Sequence, residues 1–374
     1  MRTFRCDYCG NALFFENVSC LRCGSGLAFL PDRMDLCSIE PAENGQDGWY
    51  RRKAGASPGD TGTPSLWRLC VHHTRAQACN FAIPSHDDNP LCVSCRLTRV
   101  LPDLSVADNY QRWYRIEVAK RRLFFTLARL GLVLPSPPAG QRQGPVFEFK
   151  ADTPAELVFT GHTDRVITLN IAEADDEERV RRRVALHEPY RTLLGHLRHE
   201  SGHYYWDVMV ERRGRHEAFR QVFGDERADY SQALATHYAS GGQPAGWEAT
   251  HVSAYATSHP WEDWAETWAH YLHMVDLLET AASFGARMVV PGIESEKCFQ
   301  DPFADGQVPF NSLVGQWAPL TVMVNSLNRS LGQEDAYPFA LSHPALDKLR
   351  FVHDFIQDHA RREKPNPAPP PEDG

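Results

Sequence analysis

His199-Glu200-Ser201-Gly202-His203 lies inside a stretch, Tyr190 to Val210, that carries Leu193, Leu194, Leu197, Tyr204, Tyr205, Val208 and Met209 at roughly helical intervals. Residues four apart share one helix face, so His199 and His203 can offer imidazole nitrogens to one metal ion. Glu200 stands beside them, where its carboxylate can take a proton from a metal-bound water. His196 and Asp207 fall on the same polar stripe. Such a stripe on a largely apolar helix must face water, a partner or a metal, because unpaired buried charge is costly. Pro189 suits the first helical position. Gly202 is a poor helix former, and inside the motif it would let another segment come close. The plain alternative is a helix with two incidental histidines.

A catalytic zinc needs a third protein ligand and an open position for water. The run Ser258-His259-Pro260-Trp261-Glu262-Asp263-Trp264-Ala265-Glu266 offers one. Ser258 suits an N-cap, Pro260 the first turn, and the two acids at 262 and 263 a helix N-terminus. Trp261, Trp264, Trp268 and Tyr271 form an apolar stripe, while Glu262 and Glu266 share another face. Acids on so aromatic a helix need partners; the alternative is that both are solvated. Asp263, His259 and His251 are weaker ligand candidates.

H-E-x-x-H followed by a helical E-x-x-x-E resembles the gluzincin metallopeptidases, and within them the lethal-factor branch, whose ligand helix reads E-x-x-A-E with a tyrosine seven residues before the first acid. Here those positions are Glu262, Ala265, Glu266 and Tyr255. The resemblance implies Glu262 as third ligand, Glu266 bracing the site, and Tyr255 stabilising the oxyanion. His196 and Asp207 are further candidates to orient the ligand histidines, with ordinary surface or core roles as the alternative.

At the N-terminus, Cys6-x-x-Cys9 and Cys20-x-x-Cys23 have the spacing of two zinc knuckles, each followed by a glycine, Gly10 and Gly24. A second set comprises Cys70, Cys79, Cys92 and Cys95; only Cys92-x-x-Cys95 is a regular knuckle, and His72, His73 or His86 could replace one member. Cys37 and Cys298 remain as expected free thiols. Disulfides are the alternative for the cysteines. They are disfavoured because Met1 to Arg5 leads straight into the ribbon with no signal peptide, and no run of 18 apolar residues exists to span a membrane. Metal sites in a reducing, cytoplasmic location are expected.

These features together resemble the bacterial zinc-binding metallopeptidase family that carries an N-terminal zinc-ribbon domain. The residues that support this are Cys6 to Cys23, Leu91 to Leu104, Ile167 to Asn170, Glu188-Pro189-Tyr190-Arg191 with the motif helix, and Glu262 to Tyr271. The resemblance implies a metallopeptidase fold and peptide hydrolysis, and no particular physiological substrate.

The expected fold class is α+β, with zinc-ribbon modules followed by a mostly helical, gluzincin-like metallopeptidase domain with a small β-sheet. The expected division is 1–105 for two four-cysteine zinc sites with a loop at 40–65, and 106–145 for a connecting helix (107–131) and a Pro/Gly hinge. A peptidase-like domain follows at 146–363, then a disordered tail at 364–374. Short strands are expected at 146–149, 156–159 and 165–171, with Val166 to Ala172 as an edge strand that could receive substrate by main-chain pairing. Helices are expected at 310–331 and 344–359. One catalytic and two structural zinc ions follow. The expected partners are a peptide or protein substrate and a protein held by the ribbons. A net charge of −9 argues against broad nucleic-acid affinity. The competing class is a non-catalytic zinc-ribbon adaptor, binding protein or nucleic acid, with a vestigial peptidase site.

Overall fold

The computed structural model describes residues 1–42, 47–55, 65–134, 144–154, 156–176, 192–289, 296–304, 308–337 and 340–363. The expected 364–374 tail, most of the 134–145 hinge and Pro189 lie outside them.

The first ribbon is a hairpin, β1 (Phe4–Arg5) with β2 (Ala12–Leu13); Cys6 and Cys9 lie between these strands and Cys20 and Cys23 after them. Gly10 and Gly24 take φ of 75° and 71° and return a backbone N–H to Cys6 and Cys20, a turn that L side chains disfavour. Next come β3 (Gly26–Leu30), β4 (Asp35–Pro41), β5 (Trp49–Arg52), β6 (Trp67–Leu69), the short helix α1 (Val71–Ala76) and β7 (Ala82–Pro84). β3 to β7 form one antiparallel sheet in sequence order, which curls until Phe29 of β3 bridges to Phe81. The expected loop at 40–65 is therefore partly strand: Tyr50, Arg51 and Arg52 pair with Pro41, Glu40 and Ile39. Alternation explains the two faces of this sheet, since side chains two apart point the same way. Ala28, Leu30, Cys37, Ile39 and Trp67 fill the inside of the curled sheet, and Leu27, Phe29, Leu36 and Ile83 face the main core.

That main core is continuous. Phe4, Phe15, Phe29 and Phe81 pack edge to face with Phe124 and Phe125 of α2 (Asn109–Arg129), which follows β8 (Thr98–Val100). β8 belongs to a second sheet, in the order β10-β11-β9-β8, with β9 (Val146–Lys150), β10 (Gly161–Thr163) and β11 (Val166–Asn170). Two expectations fail here. Residues 156–159 form no strand, only an isolated bridge between Thr153 and Glu156. The Val166 strand is not an edge, because β9 pairs on one side of it and β10 on the other. β10 is the edge.

The helical layer follows: α3 (Leu193–Trp206), α4 (His216–Phe223), α5 (Tyr230–Ala239) and α6 (Pro260–Ser283). After the hairpin β12 (Arg287–Val289) with β13 (Glu296–Cys298) come α7 (Phe310–Ser330) and α8 (His343–Glu363). Thr192 caps α3 by accepting from Gly195 N at 2.9 Å, and a π-turn at Asp207–Glu211 extends it. α6 is capped by His259, not Ser258: the ring Nδ1 accepts from Trp261 N at 3.1 Å. α3 and α6 touch along the motif. A Cβ on Gly202 would lie 3.0 Å from Ala265 Cα, and Trp264 and Trp268 donate their indole N–H groups to Gly202 O and Ser201 Oγ. At the other end of α6, Arg2 N donates to Glu279 and Thr3 N to Ser283 Oγ. No helix among the described residues is long and apolar enough to cross a membrane. The α+β class with an N-terminal ribbon and a mostly helical remainder is what the structure has.

Candidate active site

α3 and α6 bring three of the expected residues together. His199 Nε2 lies 3.0 Å and His203 Nε2 3.4 Å from Glu262 Oε2, and the two Nε2 atoms are 3.2 Å apart. His199 Nδ1 lies 2.7 Å from Glu266 Oε1, and a carboxylate can only accept. The Nδ1 proton therefore points at Glu266, which leaves the Nε2 lone pair facing Glu262. Three electron-pair donors thus converge on one point. Ligands bound tetrahedrally at about 2.0–2.1 Å sit about 3.3 Å from one another, so the donors fit a zinc ion. The site is deeply buried. Burial alone would raise the Glu262 carboxyl, but the adjacent His203 and His199 rings hold it well below the usual carboxylate range.

Glu266 accepts from Ser253 Oγ at 2.6 Å as well as from His199, so its position is fixed from two sides. Glu200 turns Oε1 toward His196 Nε2 at 3.1 Å, while its Oε2 has no partner among the described residues. His196 Nδ1 reaches Glu173 Oε2 at 2.6 Å, and Thr160 donates to the other Glu173 oxygen at 2.8 Å. Burial would push the Glu200 carboxyl up; the hydrogen bond from His196 and the nearby histidines bring it below its ordinary value. His196, His199, Glu200, His203, Glu262 and Glu266 line a cleft of about 580 Å³, which also holds Tyr255, Trp261, Trp247, His270 and His273. Tyr255 tilts over His199 with ring centroids 6.0 Å apart.

Other expected residues stand elsewhere. Asp207 lies in the π-turn beyond the motif, half-buried, and burial raises its carboxyl by more than Arg165 and Arg212 lower it. The Asp207 N–H still bonds to His203 O, so the residue keeps the helical register, but it lies one turn beyond the cleft and does not line it. Asp263 turns to Lys348 and His251, and His259 serves as the cap.

Nothing in the sequence singles out Tyr230, Glu173 or His162. Tyr230 donates its phenol to Glu262 Oε1 at 2.7 Å. Burial and the adjacent Glu262 raise that phenol well above its ordinary range, so it stays a donor. His162 of β10 stacks on His203 at 6.2 Å. No spacing links these residues to the motif; only the tertiary fold brings them there. Asp229 before Tyr230 is a readable N-cap, which signals the helix but not its destination.

Both cysteine sets are also assembled. Cys6, Cys9, Cys20 and Cys23 cluster, as do Cys70, Cys79, Cys92 and Cys95. Sulfur pairs stand 3.6–3.8 Å apart, matching the edge of about 3.8 Å in a tetrahedral zinc–thiolate site and far from a disulfide bond of about 2.0 Å. His73 Nδ1 meets Cys79 O and His72 packs on Trp113, so four sulfurs complete the second set without a histidine. Cys9 and Cys23 are partly exposed, whereas all four cysteines of the second set are buried. Cys37 is sealed inside the curled sheet, where burial pushes its thiol up to about 12, and Cys298 is exposed.

Fold and site define a class: a zinc-ribbon module fused to a helical domain built on an H-E-x-x-H helix and a second, acid-bearing helix. A family model described as "Putative zinc-binding metallo-peptidase" matches residues 109–355, and a zinc-ribbon domain model matches residues 3–106. The chain belongs to this zinc-binding metallo-peptidase family. It is 41% identical over 371 residues to "Uncharacterized protein Rv2568c" of Mycobacterium tuberculosis, covering 97% of this chain and 99% of that one. The same figures hold for "Uncharacterized protein Mb2598c" of Mycobacterium bovis. No solved structure matches significantly.

Proposed function

We propose that the chain is a zinc-dependent peptidase in which Glu200 activates water for attack on a peptide carbonyl. The observation that carries this reading is the convergence of His199 Nε2, His203 Nε2 and Glu262 Oε2 within 3.0–3.4 Å, beside a Glu200 oxygen that has no partner among the described residues and lies in the same cleft. These three residues would hold the metal, which when bound supplies a Lewis acid and makes water acidic enough to ionise near neutrality. Glu200 takes the proton of the attacking water and delivers it to the departing amine. His196, backed by Glu173, keeps the Glu200 carboxylate turned to the cleft, and Glu266 fixes the His199 ring through Nδ1. Tyr255 stands over the site as a donor toward the carbonyl oxygen. The edge strand β10 offers main-chain groups to an extended substrate. Three zinc ions are expected, one in the cleft and two in the cysteine sites, where they are structural. Ten unpaired cysteines suit a reducing compartment such as the cytoplasm.

Elemental analysis tests this. The wild type should carry about three zinc ions and a His199→Ala/His203→Ala variant about two. An unchanged count would mean that the histidines hold no metal and would favour a ribbon adaptor instead.

A further inference from the structure

His162 occupies a place where the fold calls for an apolar side chain. It pairs with Ile167 across β10 and β11, and Ile167 pairs with Phe147 across β11 and β9. Directly paired residues project from the same face of a sheet. His162 therefore ends a row whose other members, Ile167 and Phe147, are fully buried. Both of its ring nitrogens are buried, and neither has a hydrogen-bond partner among the described residues. The ring stacks on His203 and meets the edge of Trp261, each at 6.2 Å between centroids, and it lines the cleft. Buried polar atoms in folded proteins nearly always find partners, and each exception asks for a reason, such as a catalytic role or a water or ion that completes it. Because β10 is the edge of its sheet, no further strand among the described residues covers its outer side. What can reach both the strand and the ring is the molecule that enters the cleft.

We propose that His162 is a catalytic residue that donates a hydrogen bond from its ring N–H to the carbonyl oxygen of the peptide under attack. The bond strengthens as that oxygen gains negative charge, so it favours the transition state over bound substrate. No proton is transferred, and the imidazole is the same before and after turnover. This role rests on the peptidase reading above and adds a second donor beside Tyr255.

The test uses the full-length, zinc-loaded protein and two variants. His162→Phe keeps the ring contacts and the apolar row but removes the donor; His162→Gln restores an N–H group. Zinc content, kcat and KM on a peptide substrate, and affinity for a peptide phosphinate (a stable tetrahedral anion) are measured for each. His162→Phe should keep its zinc, lose about 10²–10³-fold in kcat with KM nearly unchanged, and bind the phosphinate correspondingly more weakly. His162→Gln should recover part of both losses. Unchanged kcat and phosphinate affinity in His162→Phe overturn the proposal and leave the peptidase reading standing. Loss of one zinc from His162→Phe also overturns it, by making the ring a metal ligand. A zinc-loaded wild type that neither cleaves peptides nor binds the phosphinate defeats the peptidase reading itself, and His162's role with it.

Discussion

Gly202→Ala should weaken both the fold and the metal site. An added Cβ would stand 3.0 Å from Ala265 Cα and 3.2 Å from two Trp268 carbons. Carbon atoms rest at about 3.5–4.0 Å, so the two helices must separate by roughly half an ångström. Overpacking of this kind costs about 1–3 kcal/mol, while replacing a helical glycine by alanine returns about 1 kcal/mol. The obstructing atom is backbone and cannot rotate away, so the cost should fall in the upper part of its range and win by up to about 2 kcal/mol. For a chain of this size that means a Tm lower by a few degrees. Ala265 sits between Glu262 and Glu266, so the same displacement pulls the acids of α6 away from His199 and His203. Zinc affinity at that site should fall by about 10-fold, the scale seen when ligand support is disturbed. Calorimetric unfolding and zinc competition against a chromogenic chelator measure the two effects. A variant with equal or higher Tm and unchanged zinc affinity would refute the argument, because helix propensity would then have outweighed the contact.

Three other outcomes are expected. Glu200→Gln should keep all its zinc yet lose about 10²–10⁴-fold in kcat; a variant at wild-type rate would remove Glu200 from the chemistry. Chelator should strip the first cysteine site, with its partly exposed Cys9 and Cys23, before the fully buried second site; stopped-flow release with the reverse order, tracked in Cys-to-Ser variants of each set, would contradict this. Burial would raise the Asp276 carboxyl, but Arg198 and the terminal amine hold it at about 2, below its unfolded value. A depressed carboxyl stabilises above its unfolded pKa and loses that contribution as pH falls through the folded one. Wild type should therefore exceed Asp276→Asn by about 2 kcal/mol near neutrality, with the gap closing between about pH 4 and 2 in denaturant titrations; a pH-independent gap would argue against the Arg198 pairing.

What could be read in the sequence was what is periodic or local. His199, Glu200 and His203 lie within one helical turn and a half, and each C-x-x-C pair is a single turn of chain, so spacing alone specified them. Glu262 and Glu266 were legible because a proline, acids in the first turn and a tryptophan stripe marked their helix. Tyr230, Glu173 and His162 reach the cleft only through tertiary packing, and a three-residue strand such as Gly161–Thr163 is too short to show alternation. The same shortness explains why Val166–Asn170, with its clear apolar alternation, read as the edge when it lies inside the sheet. Asp207 keeps the helical register, its N–H bonded to His203 O, yet one turn of helix carries it past the cleft.

The clasp between the first residues and α6 bears on how the protein is made. Thr3 hydrogen-bonds Ser283, 280 residues further along. At about 5–20 residues per second, a ribosome needs tens of seconds to deliver that partner. Phe124 and Phe125 emerge much sooner and can shield the ribbon's phenylalanines, but the outer strand waits for α6. During that interval a metal bound at Cys6, Cys9, Cys20 and Cys23 would hold the first hairpin closed, and zinc supply at the time of synthesis would then set how much of the nascent chain reaches the native fold.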